Sequence, residues 1–205
     1  MPYDPNRHHR RSIRLKGYDY SQAGAYFITI CTQDRACLFG KVVNGEMRLN
    51  DAGRMVLAEW NMLPERFPHV VLDAFVVMPN HVHGIVVITN PATDDTATTA
   101  PTIVGTGLVP VPNAGATTRV APTVGDIVAP TVGDIVGAFK SRVTVEYIRG
   151  VKTSGWPPFR GRLWQRNYYE HIIRTDDALG RIRAYILNNP ARWETDTNHF
   201  DLKKW

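Results

Sequence analysis

Cysteine is nearly absent from the 205 residues: Cys31 and Cys37 are the only two. That is too few for a disulfide scaffold, and neither has the Cys-x-x-Cys partner of a structural zinc site. Both read as ordinary thiols near a strand end. No apolar run approaches the roughly 18 residues that a bilayer crossing requires. The opening residues, rich in Arg and His, lack the apolar segment of a signal peptide. The expectation is a cytoplasmic protein with no membrane partner. Both ends carry a basic surplus. Residues 1–16 hold Arg7, Arg10, Arg11, Arg14 and Lys16 against Asp4 alone, and 137–205 hold thirteen Lys or Arg against seven Asp or Glu. A basic surplus of this kind suits a phosphate backbone, although it fits a plain solvated surface as well.

A hydrophobic content of 43% over 205 residues fits one globular domain. The β-branched and aromatic run at 25–32 reads as a strand, and 40–49 as a small hairpin around Asn44-Gly45. A helix capped by Asn50 or Asp51 is expected to run to about Phe67, where Pro68 stops it. Between 90 and about 131 the composition turns to Thr, Ala, Pro, Gly and Val, and the octapeptide 121–128 recurs unchanged as 129–136. Two copies are too few for a solenoid, so the stretch reads as a flexible insertion whose second copy leads into a helix over 133–149. The aromatic segment 163–174 reads as a strand, and a last helix, capped by Thr175 or Asp176, ends at Pro190. The division is a basic arm at 1–19, one domain at 20–193 interrupted by the insertion, and a tail at 194–205. The element order predicts an α+β fold with a ferredoxin-like βαββαβ core, an antiparallel sheet and a further C-terminal helix.

The chemistry concentrates at 72–88, two apolar runs joined through Met78-Pro79-Asn80. His81 and His83 open the second run. Residues two apart on a strand share a face, so the imidazoles stand side by side, either as a metal-binding pair or as two polar residues bordering a turn. Two ligands seldom make a site. On the last helix Tyr185 and Asn189 lie four apart, on one face. The amide oxygen of Asn189 suits a hard cation and Tyr185 offers a phenolic nucleophile, although beside Leu179, Ile182 and Ile186 it also reads as a core aromatic. Tyr168 and Tyr169 are rival nucleophiles that, as strand neighbours, face opposite ways and pack or stack on bases. Glu170 and His171 suit an auxiliary acid or ligand, or a solvated strand.

Three segments in order, 75–84 with Phe-Val-Val-Met-Pro-Asn-His-Val-His-Gly, 164–174 with Trp-Gln and Tyr-Glu-His-Ile-Ile-Arg, and 185–190 with Tyr-Ile-Leu-Asn-Asn-Pro, resemble the single-tyrosine HUH transposases. The branch they are most similar to is that of the REP-associated tyrosine transposases of the insertion-sequence 200-like family. The resemblance spans Tyr20 to about Trp193 outside the insertion, which itself departs from the compact family pattern. It implies that His81, His83 and Asn189 hold Mg²⁺ or Mn²⁺ and that Tyr185 is the catalytic nucleophile. It further implies cleavage and rejoining of hairpin-forming single-stranded DNA through a 5′-phosphotyrosine link, with phosphate contacts drawn from Arg7, Arg10, Arg11, Arg14, Lys16, Arg162, Arg166 and Arg174. Relatives pair into dimers, so a homodimer is among its implications. The alternatives are a non-catalytic hairpin-DNA-binding protein or regulator of this descent, and a metal-dependent RNA nuclease that uses water.

Overall fold

The β-branched and aromatic residues of β1 (Gly24–Cys31) form the strand on which the sheet is built. A computed structural model describes residues 17–89 and 130–196. β1 is followed by a short hairpin, β2 (Gly40–Val43) and β3 (Glu46–Leu49), which turns through Asn44 at φ 54° and Gly45 at φ 76°. Both central residues adopt the left-handed conformation that an Asn-Gly turn supplies. α1 (Asp51–Asn61) then starts under the Asn50 cap, whose Oδ1 accepts the Gly53 N–H at 2.8 Å.

The expected single helix to Phe67 is instead two. α1 ends at Asn61 and a one-turn α2 (Leu63–Arg66) follows Met62. Pro64 has no N–H to donate into α1, and its ring is tolerated only in the first turn of a new helix. β4 (Val70–Val77) and β5 (His81–Ile88) form the predicted hairpin, with a register shift between Leu72 and Phe75.

α3 (Val132–Ser154) begins under a capping box in which Thr131 and Asp134 serve each other's backbone N–H, and closes on Gly155 in the left-handed region. It outruns its expected end by more than a turn. β6 covers only Tyr169–Ile173 of the strand expected over 163–174. The earlier part is held differently: Gln33 donates to the Leu163 carbonyl, Gln165 to that of Cys31, and Leu163 and Trp164 are buried. α4 (Asp176–Leu187), capped by Thr175, is followed by a 3-10 segment, Pro190–Thr195.

The four main strands lie in the order β4-β5-β1-β6, every neighbour antiparallel. This is the ferredoxin-like βαββαβ arrangement, with α4 added at the C-terminal end. α1 and α3 cover one face, where Trp60, Ile135, Phe139 and Val143 pack on Ile28, Ile30, Val82 and Val86. α4 covers the other, with Ile186 against Phe27, Ala74, Ile85 and Ile173. β5 is therefore enclosed on both sides, which accounts for its unbroken apolar run from Ile85 to Ile88. Among the described residues no helix is long and apolar enough to cross a membrane.

Candidate active site

Side-chain alternation along β5 sends His81, His83 and Ile85 toward α4, and Val82, Gly84 and Val86 toward α1 and α3. Gly84 has a specific reason to be glycine. A Cβ there would stand 2.5 Å from the ring of Trp60, which stacks on Phe75 at 4.3 Å and closes the back of the strand behind the histidines. The strand start is thus pressed from behind, and its histidines face α4.

Both imidazoles are buried, His81 at 0% and His83 at 1% exposure. Each is gripped at Nδ1 by its own partner. The His81 Nδ1–H donates to Asn80 Oδ1 at 2.8 Å, and His83 Nδ1 meets the Thr29 hydroxyl at 2.7 Å across the β1–β5 register. With Nδ1 engaged, the two Nε2 atoms converge to 3.0 Å. Two lone pairs so close repel unless a proton or a cation lies between them. Burial is the largest cause pushing both pKa values down to about 3; the Arg35 charge adds to this at His81, and His81 itself adds to it at His83. Both rings are therefore neutral at physiological pH, the form that ligates metal.

α4 and the segment after it bring the remaining groups. The Tyr185 hydroxyl lies 3.4 Å from His83 Nε2, on the same chain, with 38% of the residue exposed. Burial of its hydroxyl and the Asp196 carboxylate hold its pKa above the ordinary phenol value, partly offset by the Asn189 amide. Asn189 is buried, and its Oδ1 meets no donor in hydrogen-bonding geometry, although the amide is close enough to offset some of the depression at His81. The 3-10 segment lays Trp193 along His81, ring centroids 5.9 Å apart, and delivers Asp196 with Oδ2 3.7 Å from His81 Nε2. Ligand atoms of His81, His83 and Asp196 all lie within 4.8 Å of one another. Two neutral imidazoles, one carboxylate and an amide oxygen form a donor set that suits a divalent cation.

The structure thus brings Tyr185, His81, His83 and Asn189 together as expected from the sequence. Asp196 was missed because it follows the last helix in a stretch without periodicity. Thr29 was missed because only strand register reveals that its hydroxyl faces His83, and Asn80 was read only as part of the turn before His81. Tyr168 packs against the α1/α3 core, Glu170 is buried on the side away from Tyr169, and His171 is exposed opposite Phe27. Arg162, Arg166 and Arg174 are exposed, whereas Arg7, Arg10, Arg11, Arg14 and Lys16 lie outside the described residues.

A protein of Haemophilus influenzae, recorded as uncharacterized, is 40% identical over 97% of this chain and 98% of its own length. The chain belongs to that protein's family. No family model matches it. Among solved structures, a REP-associated tyrosine transposase bound to a REP hairpin superposes with a TM-score of 0.50 at 17% identity, covering 87% of this chain and 73% of that one. At this identity the likeness establishes the fold.

Proposed function

We propose that the protein is a metal-dependent, single-tyrosine DNA transposase or endonuclease that cuts and rejoins single-stranded DNA beside a folded hairpin. The observation that carries this reading is the Tyr185 hydroxyl 3.4 Å from His83 Nε2, with the His81 and His83 Nε2 atoms 3.0 Å apart. His81 and His83 would supply two nitrogen ligands, and Asn189 and Asp196 the oxygens. A bound Mg²⁺ or Mn²⁺ would polarise the scissile phosphate and offset the charge that develops on it.

The chain's own residues do the rest. Tyr185 is held at the edge of the buried donor set, and the exposed 38% of the residue is the side from which a substrate phosphate would approach. Its oxygen forms a bond to phosphorus as the bond from phosphorus to the 3′ oxygen breaks. The phenol loses one proton and the departing oxygen gains one, leaving a 5′-phosphotyrosine and a free 3′-hydroxyl. The reverse attack rejoins the strand without an external energy source, and Tyr185 reaches the histidines of its own subunit. Arg162, Arg166 and Arg174, with the basic arm at 1–16, are proposed to hold the DNA backbone. A homodimer belongs to this reading, and the sheet offers two edge strands, β4 and β6, to a second copy.

The test is incubation with single-stranded oligonucleotides copied from palindromes flanking the gene, with and without Mn²⁺, read on a denaturing gel. A metal-dependent, SDS-stable adduct mapping to Tyr185, absent from Tyr185→Phe although that variant still retards the hairpin, is the expected result. Retardation without an adduct in the wild type would favour the non-catalytic hairpin-binding alternative, and cleavage by Tyr185→Phe would favour a water-using nuclease.

A further inference from the structure

Among the described residues, most aromatic side chains lie in the two cores. Tyr169 does not: it is 43% exposed at the first position of the edge strand β6. Its backbone pairs with Thr29, the residue whose hydroxyl meets His83 Nδ1 at 2.7 Å. Its ring stands edge-on to Phe27, centroids 6.1 Å apart at 68°. Phe27 is stacked on His83 at 5.5 Å and stands edge-on to Tyr185 at 6.0 Å and 85°. One buried phenyl ring therefore fixes the candidate ligand, the candidate nucleophile and Tyr169 relative to one another. The Tyr169 and Tyr185 rings are at most about 12 Å apart, a span of no more than three or four nucleotides at about 3.4 Å each. β1 protects one flank of Tyr169; among the described residues no strand covers the other, since the sheet ends at β6.

We propose that Tyr169 is a positioning residue, the platform on which an unpaired base of the DNA strand stacks within three or four nucleotides of the phosphate that Tyr185 attacks. The inference rests on the single-stranded DNA reading above and extends it to the seat of one base. An exposed aromatic ring on a rigid strand suits such a role because every base presents a π face, so stacking holds a strand in place without reading its sequence. The neighbouring residues agree with this. Tyr168 turns inward, so only one of the paired tyrosines is available, and exposed Arg166 and Arg174 flank the position with charge suited to phosphates. Because Phe27 rather than Tyr169 supports Tyr185 and His83, removal of the Tyr169 ring leaves the geometry of the site in place.

The experiment uses the full chain and two forms of one hairpin oligonucleotide copied from a palindrome beside the gene, one with single-stranded flanks of a few nucleotides and one blunt. Affinity is read by fluorescence anisotropy in EDTA. Tyr169→Ala is expected to lose on the order of tenfold or more on the flanked hairpin and to bind the blunt one unchanged, whereas Tyr169→Phe and Tyr169→Trp retain wild-type affinity for both. An abasic site at one flank position should reproduce the loss in the wild type and add nothing to Tyr169→Ala. Equal losses on both hairpins, unchanged affinity for the flanked one, or a Tyr169→Phe variant as weak as Tyr169→Ala would overturn the proposal. Adduct formation, read in parallel in Mn²⁺, separates the two readings. An adduct in the wild type with unaltered Tyr169→Ala binding removes the platform and keeps the nuclease. A flank-specific loss in a protein that never forms an adduct keeps the platform and removes the nuclease.

Discussion

His81 and His83 present their Nε2 atoms to one point because Asn80 and Thr29 hold the opposite ring nitrogens, and a ring fixed at one nitrogen is oriented at the other. Thr29→Val deletes the hydroxyl while keeping the shape. It should weaken the Mn²⁺ dependence of adduct formation by about 10- to 100-fold, read as the metal concentration at half-maximal yield. The oxygen donors differ in kind. Asp196→Asn removes the only carboxylate of the cluster and should cost tenfold or more in the same assay, whereas Asn189→Ala removes a neutral amide and should cost less. At this scale the sequence was informative for residues whose spacing alone sets their relation, namely His81 with His83 and Tyr185 with Asn189. It was silent on Thr29 and Asp196, which reach the site by strand pairing and by the path of the chain after Pro190.

Two elements must be held firmly for the site to exist, the start of β5 and the helix α4. Behind β5, Gly84 lets the Trp60 ring approach the backbone, so Gly84→Ala drives a methyl group into that ring at 2.5 Å. A loss of about 1–3 kcal/mol in urea unfolding is expected, with adduct formation falling in step. α4 is fastened to β4 by Arg183, whose Nε and Nη2 donate to the Asp73 carboxylate at 2.8 and 2.5 Å. Burial alone would raise the Asp73 pKa, but the hydrogen bonds from Arg183 and the Ala74 N–H outweigh it and hold the carboxyl below its ordinary value. A depressed carboxylate contributes stability above its unfolded pKa, about 3.9, and loses that contribution as pH falls through the native value. The difference in melting temperature between wild type and Asp73→Asn should therefore be constant near neutrality and close below about pH 4. Elements with strong local signals, such as the Asn44-Gly45 hairpin and the Asn50 and Thr175 caps, were legible in the sequence. Those decided by packing were not. Residues 163–164 have strand composition, yet they are held by Gln33 and Thr32 rather than by a ladder.

Over the whole molecule, the sheet has a chemical end and a quiet end. His81 begins β5 opposite Cys31, and Ile88 finishes it opposite Gly24 and Val70. Seven steps of about 3.3 Å separate the two ends, roughly 23 Å. The described residues end at Thr89, just beyond Ile88, and resume at Pro130, where the Val132 N–H two residues on donates to the carbonyl of Tyr20, just upstream of β1. Both junctions are thus at the end of the sheet away from the histidines. Replacing 90–129 by a short Gly/Ser linker should leave adduct yield unchanged and alter stability by no more than about 1 kcal/mol, since loop-closure cost grows slowly with length. The second octapeptide copy illustrates how context overrides composition: its Val132, Ile135 and Val136 are buried at the start of α3 because Phe139 and Val143 continue the stripe.

That polarity bears on how the gene can change. Codons gained between Thr89 and Thr131 join the described fold at the sheet end roughly 23 Å from the histidines, and the capping box at Thr131 starts the helix from its own residues. Under the proposed function, slippage there would leave the candidate site in place, so the locus can lengthen or duplicate while the described fold stays intact. The same port would accept a fluorescent reporter domain without disabling the protein.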